Sequence, residues 1–130
     1  MSQNLAIALA VFAGGGVGSV LRHYSVVAAK GLLGDGFPYG TLFVNIAGCF
    51  VIGALVECFA LRFNATPTVQ ALLVTGFLGG FTTFSAFSID FFKLVQEGAL
   101  MPAATYAAAT FIVCLLAVFG GVYLMRGVLG

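Results

Sequence analysis

The chain has 130 residues, of which 62% are hydrophobic and only 7% are charged. A soluble domain carries about a quarter charged residues, so this composition excludes a water-soluble fold and a disordered chain. The net charge is +1, which excludes a strongly basic nucleic-acid-binding surface. The composition predicts an integral membrane protein surrounded by lipid, and we expect no nucleic-acid partner.

Four stretches of the chain contain no charged residue, and they cover residues 1–21, 36–56, 63–89 and 98–125. A helix needs about 20 residues to cross a hydrocarbon core of about 30 Å. The sequence therefore predicts a single all-α membrane domain, residues 1–130, with transmembrane helices near 4–31, 38–62, 68–96 and 102–126. A cleavable signal peptide is disfavoured because no Lys or Arg precedes the first apolar run.

The basic residues do not favour one orientation of these four helices. Arg62 and Arg126 lie on the side of the termini, whereas Lys30, Lys93 and the deeper Arg22 lie on the other. The positive-inside rule requires an excess on one side. The balance is compatible with insertion in both orientations, which permits an antiparallel homodimer. The alternative is that five basic residues are too few for the rule to apply.

One four-helix bundle is thin for a polar path that must be shielded from lipid, so we expect oligomerisation. Small residues let helix backbones approach closely, and we expect them to support contacts between copies. These residues are Gly14 and Gly18 in helix 1, and Gly76, Gly79 and Gly80 in helix 3. The alternative is that glycine is simply frequent in membrane helices.

Two helices carry polar residues at every fourth position, so each set shares one helical face. The sets are Thr41, Asn45 and Cys49 in helix 2, and Tyr106, Thr110 and Cys114 in helix 4. One stripe is typical of bonds between helices, whereas two stripes of donors without carboxylates favour an anion path. Cys49, Cys58 and Cys114 lack the spacing of a metal site and are expected to act as small apolar residues.

Besides the basic residues at their ends, the predicted helices contain one arginine, one histidine and two acidic residues, which are Arg22, His23, Glu57 and Asp90. Arg22 lies about two-thirds along helix 1, where it either attracts anions or extends to the interface. His23 is more typical of an interfacial residue than of a ligand. Glu57 and Asp90 lie near helix ends and are equally compatible with the interface.

Helix 3 contains the most specific segment, because residues 76–88 read GFLGGFTTFSAFS. Paired glycines followed by two threonines are poor helix-interior residues and predict a break. A break within the membrane frees backbone groups, which is tolerated where they bind an ion or line a cavity. Phenyl ring edges are electropositive, so Phe84 and Phe87, beside hydroxyls such as that of Ser88, suit a small anion. Simple packing of the phenylalanines is the alternative.

Three segments resemble the Fluc fluoride channels, also called CrcB. They are residues 18–22 (GSVLR), 38–50 (PYGTLFVNIAGCF) and 76–88, and the resemblance extends over the whole chain. It implies a dual-topology antiparallel homodimer with two fluoride pores in a bacterial inner membrane, and no enzymatic activity. It also implies a structural sodium ion at the dimer centre, bound by the backbone carbonyls of Gly79 and Thr82.

The resemblance and the polar stripes together predict the residues that line the path. Those expected in the anion pore are Thr41, Asn45, Phe84, Phe87, Ser88, Tyr106 and Thr110, with Arg22 at the vestibule. The predicted function is passive export of fluoride. The alternative is a small multidrug-type cation/proton antiporter, which requires an acidic residue deep in helix 1, where none occurs. A non-transporting assembly subunit would leave the polar stripes unexplained.

Overall fold

The computed structural model describes all 130 residues, and its regular structure is entirely helical. Its long helices are α1 (Gln3–Leu33), α2 (Tyr39–Leu61), α3 (residues 67–81), α4 (Phe84–Gln96) and α5 (Leu100–Leu129). Helix α3 begins as an α-helix at Pro67–Gln70, continues as a π-helix over Ala71–Leu78 and ends in the α-helical turn Gly79–Phe81. Four segments are long and apolar enough to cross a membrane, with α3 and α4 together forming the third. The predicted all-α membrane class is confirmed.

Local sequence explains where the first span begins and ends, and where the third span begins. Ser2 precedes α1, and its hydroxyl accepts a hydrogen bond from the backbone N–H of Leu5 at 3.2 Å. Gly34 ends this helix with φ +82°, a left-handed conformation that costs glycine little. Thr66 caps α3 in the same way as Ser2 caps α1, and Pro67 follows at the first helical position, where its missing N–H is not needed.

Two glycines bring α1 and α3 into backbone contact. A Cβ atom on Gly14 would collide with the carbonyl oxygen of Leu72, and one on Gly18 with that of Phe77. A Cβ atom on Gly80 would collide with α1 from the other side. Gly14, Gly18 and Gly76 are buried within one chain, so they serve contacts between its own helices and not the contacts between copies that the sequence predicted. Gly80 is half-buried and also contacts α1.

Helices α2 and α5 run parallel and form the second close pair. A Cβ atom on Gly53 would collide with the carbonyl oxygen of Val118, and one on Gly121 with that of Phe50. Near the chain's C-terminus, Arg126 Nε lies 2.8 Å from Glu57 Oε1. The absence of side chains at the two glycines permits this approach, and the ion pair holds the helix ends together.

The third span changes direction at two threonines. Helix α3 ends at Phe81, and Thr82 and Thr83 have extended backbones with ψ values of 156° and 118°. Helix α4 then starts at Phe84, with the Thr83 hydroxyl accepting from the backbone N–H of Ala86 at 3.1 Å. The span predicted over 68–96, with a break at its glycine and threonine pairs, corresponds to two helices joined by the two extended residues Thr82 and Thr83.

Candidate functional site

Facing side chains of α2 and α5, most of them polar, form a seam between the two helices. Thr41 lies beside Tyr106, Cys49 beside Cys114, and Gly53 against Val118, and each pair is separated by 65 residues in sequence. Because this offset is constant, the same register places Asn45 level with Thr110. The two stripes therefore face each other. Each facing pair forms one tier of the seam, and successive tiers lie one helical turn apart. The tiers are Thr41–Tyr106, Asn45–Thr110 and Cys49–Cys114.

Asn45 joins the seam to the extended residues of the third span. Its Nδ2 donates to the carbonyl oxygen of Thr83 at 3.0 Å, and its Oδ1 accepts from the backbone N–H of Thr83 at 2.8 Å. The pair of bonds fixes the orientation of the amide group. Since Nδ2 carries two N–H groups and one donates to Thr83, the other has no protein acceptor.

Thr110 is the one buried residue of the seam whose hydroxyl has no partner. Its side chain is 7% exposed, and Oγ1 makes no hydrogen bond. A buried hydroxyl without a partner costs free energy unless a ligand or water satisfies it. The position level with Asn45 therefore has two unused donors, the Thr110 hydroxyl and the second Asn45 N–H.

Tyr106 forms the end of the seam and is fully buried. Its hydroxyl donates to Asp90 Oδ2 at 3.2 Å. A cavity of about 260 Å³ opens beside this bond and is lined by both Thr41 and Asp90. Lys30 and Lys93 also line it, so the seam leads to an aqueous mouth that contains both basic and acidic groups.

The two phenylalanines predicted to line the pore occupy different environments. Phe87 is 6% exposed, and its ring lies 4.9 Å from that of Tyr106 and edge-to-face with Phe111 at 5.9 Å. Phe84 is 65% exposed, and its ring centre is 5.3 Å from that of Phe87. Ser88 is exposed, and its hydroxyl donates to the carbonyl oxygen of Phe84 at 3.0 Å. Of the two phenylalanines, only Phe87 packs against a residue of the seam, which is Tyr106.

Arg22 reaches the end of α3. Its Nε donates to the carbonyl oxygen of Gly80 at 2.9 Å in a half-buried position. This carbonyl belongs to the C-terminal turn of α3, where the helix dipole is negative and a cation is favourable. His23, its neighbour, is exposed and packs against Tyr24.

Two residues of the site were not identified from the sequence. Thr83 was noted only as a helix breaker, although its backbone is the partner of Asn45. The sequence leaves the role of Asp90 open, and the structure shows that it accepts from Tyr106. No local pattern indicates either contact, because each joins different spans.

A bundle of membrane-length helices with a buried polar seam defines a multi-pass membrane protein with a candidate ion path. The family model described as "CrcB-like protein, Camphor Resistance (CrcB)" matches residues 9–122. The chain belongs to this family, and the predicted resemblance is confirmed.

Curated relatives match nearly the whole chain. A protein of Rhizobium etli (strain CIAT 652) named "Fluoride-specific ion channel FluC" is 49% identical over 126 residues, covering 97% of this chain and 98% of the relative. The protein of the same name from Agrobacterium fabrum is 50% identical over 116 residues, covering 89% of this chain and 93% of the relative. "Fluoride-specific ion channel FluC 1" of Nitrobacter hamburgensis is 42% identical over 118 residues, covering 91% and 94%. These names describe channels, not enzymes, and they do not favour the antiporter alternative.

Proposed function

We propose that this protein is a fluoride-selective channel that exports fluoride passively across the bacterial inner membrane and so limits fluoride toxicity. The full-length similarity to relatives named as fluoride-specific channels supports this assignment. The structural observation that carries it is the buried Thr110 hydroxyl, which has no protein partner. The register of α2 and α5 puts this hydroxyl level with Asn45.

The chemistry of the seam suits a small, strongly hydrated anion. The second N–H of Asn45 and the hydroxyl of Thr110 replace part of the hydration shell of fluoride. Phe87 contributes electropositive ring edges without a fixed positive charge, which would hold the anion too tightly. The ion enters or leaves past Tyr106 and Thr41 through the mouth cavity, and a negative-inside potential drives it outward at about 2.3 kcal/mol per 100 mV.

Phe84, Ser88 and Arg22 complete the proposed path. Phe84 is largely exposed in one chain, so it lines the path where a second copy covers it. Ser88 lies one turn further along α4 and can present its oxygen at the same face. At Arg22, Nε contacts Gly80 while the remaining guanidinium N–H groups are available to concentrate anions at a vestibule.

The functional unit is an antiparallel homodimer of chains inserted in both orientations. Five basic residues almost evenly divided between the two sides give little orientation bias. Polar and small residues also lie exposed at membrane depth on the third span, where lipid cannot satisfy them. These residues are Thr75, Gly79 and Ser85.

A structural sodium ion at the dimer centre fits the backbone of the third span. The carbonyl of Gly79 lacks its helical partner because the N–H of Thr83 bonds to Asn45. The carbonyl of Thr82 accepts no backbone N–H either, since the N–H of Ala86 bonds to the Thr83 hydroxyl. Unpaired carbonyls from two copies would provide the oxygen ligands that an alkali cation prefers, and the ion would join the copies.

Fluoride efflux from proteoliposomes, measured with a fluoride electrode and with chloride as the control anion, tests the function. Wild-type protein should release fluoride and retain chloride. Thr110→Val keeps the volume but removes the donor, so it should slow efflux without loss of folded protein. Thr110→Ser is the matched control and should restore it. Wild-type efflux in Thr110→Val would contradict the assignment of the path to this seam.

A further inference from the structure

The seam contains two thiols that the proposed fluoride path does not use. Cys49 is half-buried, Cys114 is 9% exposed, and both are free thiols. Gly53 lies against Val118 one turn further along both helices, so the backbones are closely packed at this level. Parallel helices in constant register therefore hold the two sulfur atoms on facing sides of the same tier.

The neighbouring tier also has a polar group that is open to a ligand. The Thr110 side chain lies one turn before Cys114 on the same face of α5 and is more than nine-tenths buried. Its Oγ1 has no partner. The tier next to the two thiols thus has unused hydrogen-bonding capacity.

We propose that Cys49 and Cys114 together form a site for a soft, thiophilic metal ion such as mercury(II), and that an ion bound there obstructs the anion path. Thiolate sulfur is the ligand type that soft metal ions select. Binding of the metal ion depends only on the seam geometry, whereas obstruction of the anion path rests on the proposed fluoride function.

Binding at this pair is a simple ligand exchange. Mercuric chloride reacts with the two thiols to form two mercury–sulfur bonds, and two protons leave with two chloride ions. Nothing is oxidised or reduced. The two metal–sulfur bonds would join facing side chains of adjacent helices, and the bound ion would occupy the space between them.

The third thiol of the chain is an internal control. Cys58 belongs to the same pair of helices, but its Sγ donates to Met125 Sδ at 3.3 Å near the helix ends. Its neighbour Glu57 is paired with Arg126, so protein contacts join the two helices at this level. A metal ion at Cys58 would lie several turns from the Asn45–Thr110 tier.

The first experiment measures metal binding without transport. Purified protein is treated with one equivalent of mercuric chloride and then alkylated with a maleimide after denaturation. Mass spectrometry of the peptides should show Cys49 and Cys114 protected together and Cys58 alkylated. In Cys114→Ser, Cys49 should be alkylated. Protection of Cys58 alone, or alkylation of both seam thiols in treated wild type, would overturn the site.

The second experiment measures fluoride efflux with and without mercuric chloride, each variant against its own untreated rate. Wild type and Cys58→Ser should lose efflux, whereas Cys49→Ser and Cys114→Ser should keep it. The obstruction would be overturned if mercuric chloride failed to inhibit efflux only in Cys58→Ser. It would also be overturned if wild type kept full efflux while both seam thiols were protected. If untreated wild type carried no fluoride, the proposed function would fail, and the protection pattern would still decide the metal site.

Discussion

Asn45 and Thr83 are joined by two hydrogen bonds that run in opposite directions between α2 and the extended residues of the third span. The amide donates to the Thr83 carbonyl at 3.0 Å and accepts from its N–H at 2.8 Å. One side chain thus satisfies both backbone groups of Thr83, which lies between the end of α3 and the start of α4. The same bonds fix the Asn45 amide of the seam to the backbone of the third span, which couples the shape of that span to the proposed path.

Replacement of Asn45 by Asp should both destabilise the fold and abolish fluoride efflux. Asp places an acceptor opposite the Thr83 carbonyl, and an unsatisfied buried group costs about 1–3 kcal/mol. An ionised carboxylate would also repel fluoride. Thermal denaturation monitored by size-exclusion chromatography, together with the efflux assay, measures the two effects. A variant with wild-type melting and wild-type efflux would remove Asn45 from both roles.

Substitutions at Phe87 and Phe84 should separate packing from conduction. Phe87 is buried against Tyr106 and Phe111, so Phe87→Ala should cost about 3–5 kcal/mol of unfolding free energy. Phe84 is mostly exposed within one chain, so Phe84→Ala should leave the fold of the chain nearly unchanged.

The conservative substitutions Phe87→Ile and Phe84→Ile keep an apolar side chain but remove the electropositive ring edge. Both should reduce fluoride efflux from assembled protein. Efflux at the wild-type rate in both variants would show that the rings only pack.

Gly18 and Gly16 form a matched pair for testing the contact between α1 and α3. A Cβ atom at Gly18 would collide with the carbonyl of Phe77, whereas one at Gly16 meets nothing within 4 Å. Gly18→Ala should therefore lower the yield of folded protein and its melting temperature. Gly16→Ala should be neutral or stabilising by up to about 1 kcal/mol, since alanine is the better helix former. Equal behaviour of the two variants would contradict the backbone contact.

Insertion should respond to a few added charges at the C-terminus. With two basic residues on one side and three on the other, appending three Lys should bias the chain toward one orientation. The control is the same extension with three Gln. Accessibility labelling of single-cysteine variants from each side of the membrane measures the orientation. A fixed single orientation of the unmodified chain would rule out the antiparallel dimer.

The sequence alone determines the helical framework and the composition of the seam. Uncharged runs of about 20 residues are sufficient to predict membrane spans, because burying a charge in lipid is expensive. The four-residue spacing of Thr41, Asn45 and Cys49, and of Tyr106, Thr110 and Cys114, places each set on one face, since helix geometry is local. The glycine and threonine pairs likewise indicate where the third span is weak as a helix.

Only the tertiary structure decides which faces meet. The spacing of Gly14 and Gly18 is the same whether they contact a second copy or α3, and the fold places them on α3. The phenyl rings of Phe84 and Phe87 are alike in sequence, yet one is exposed and the other buried. Contacts such as Arg22 with Gly80 join residues 58 positions apart. They depend on how the helices pack as rigid elements, and no periodicity within one helix contains that information.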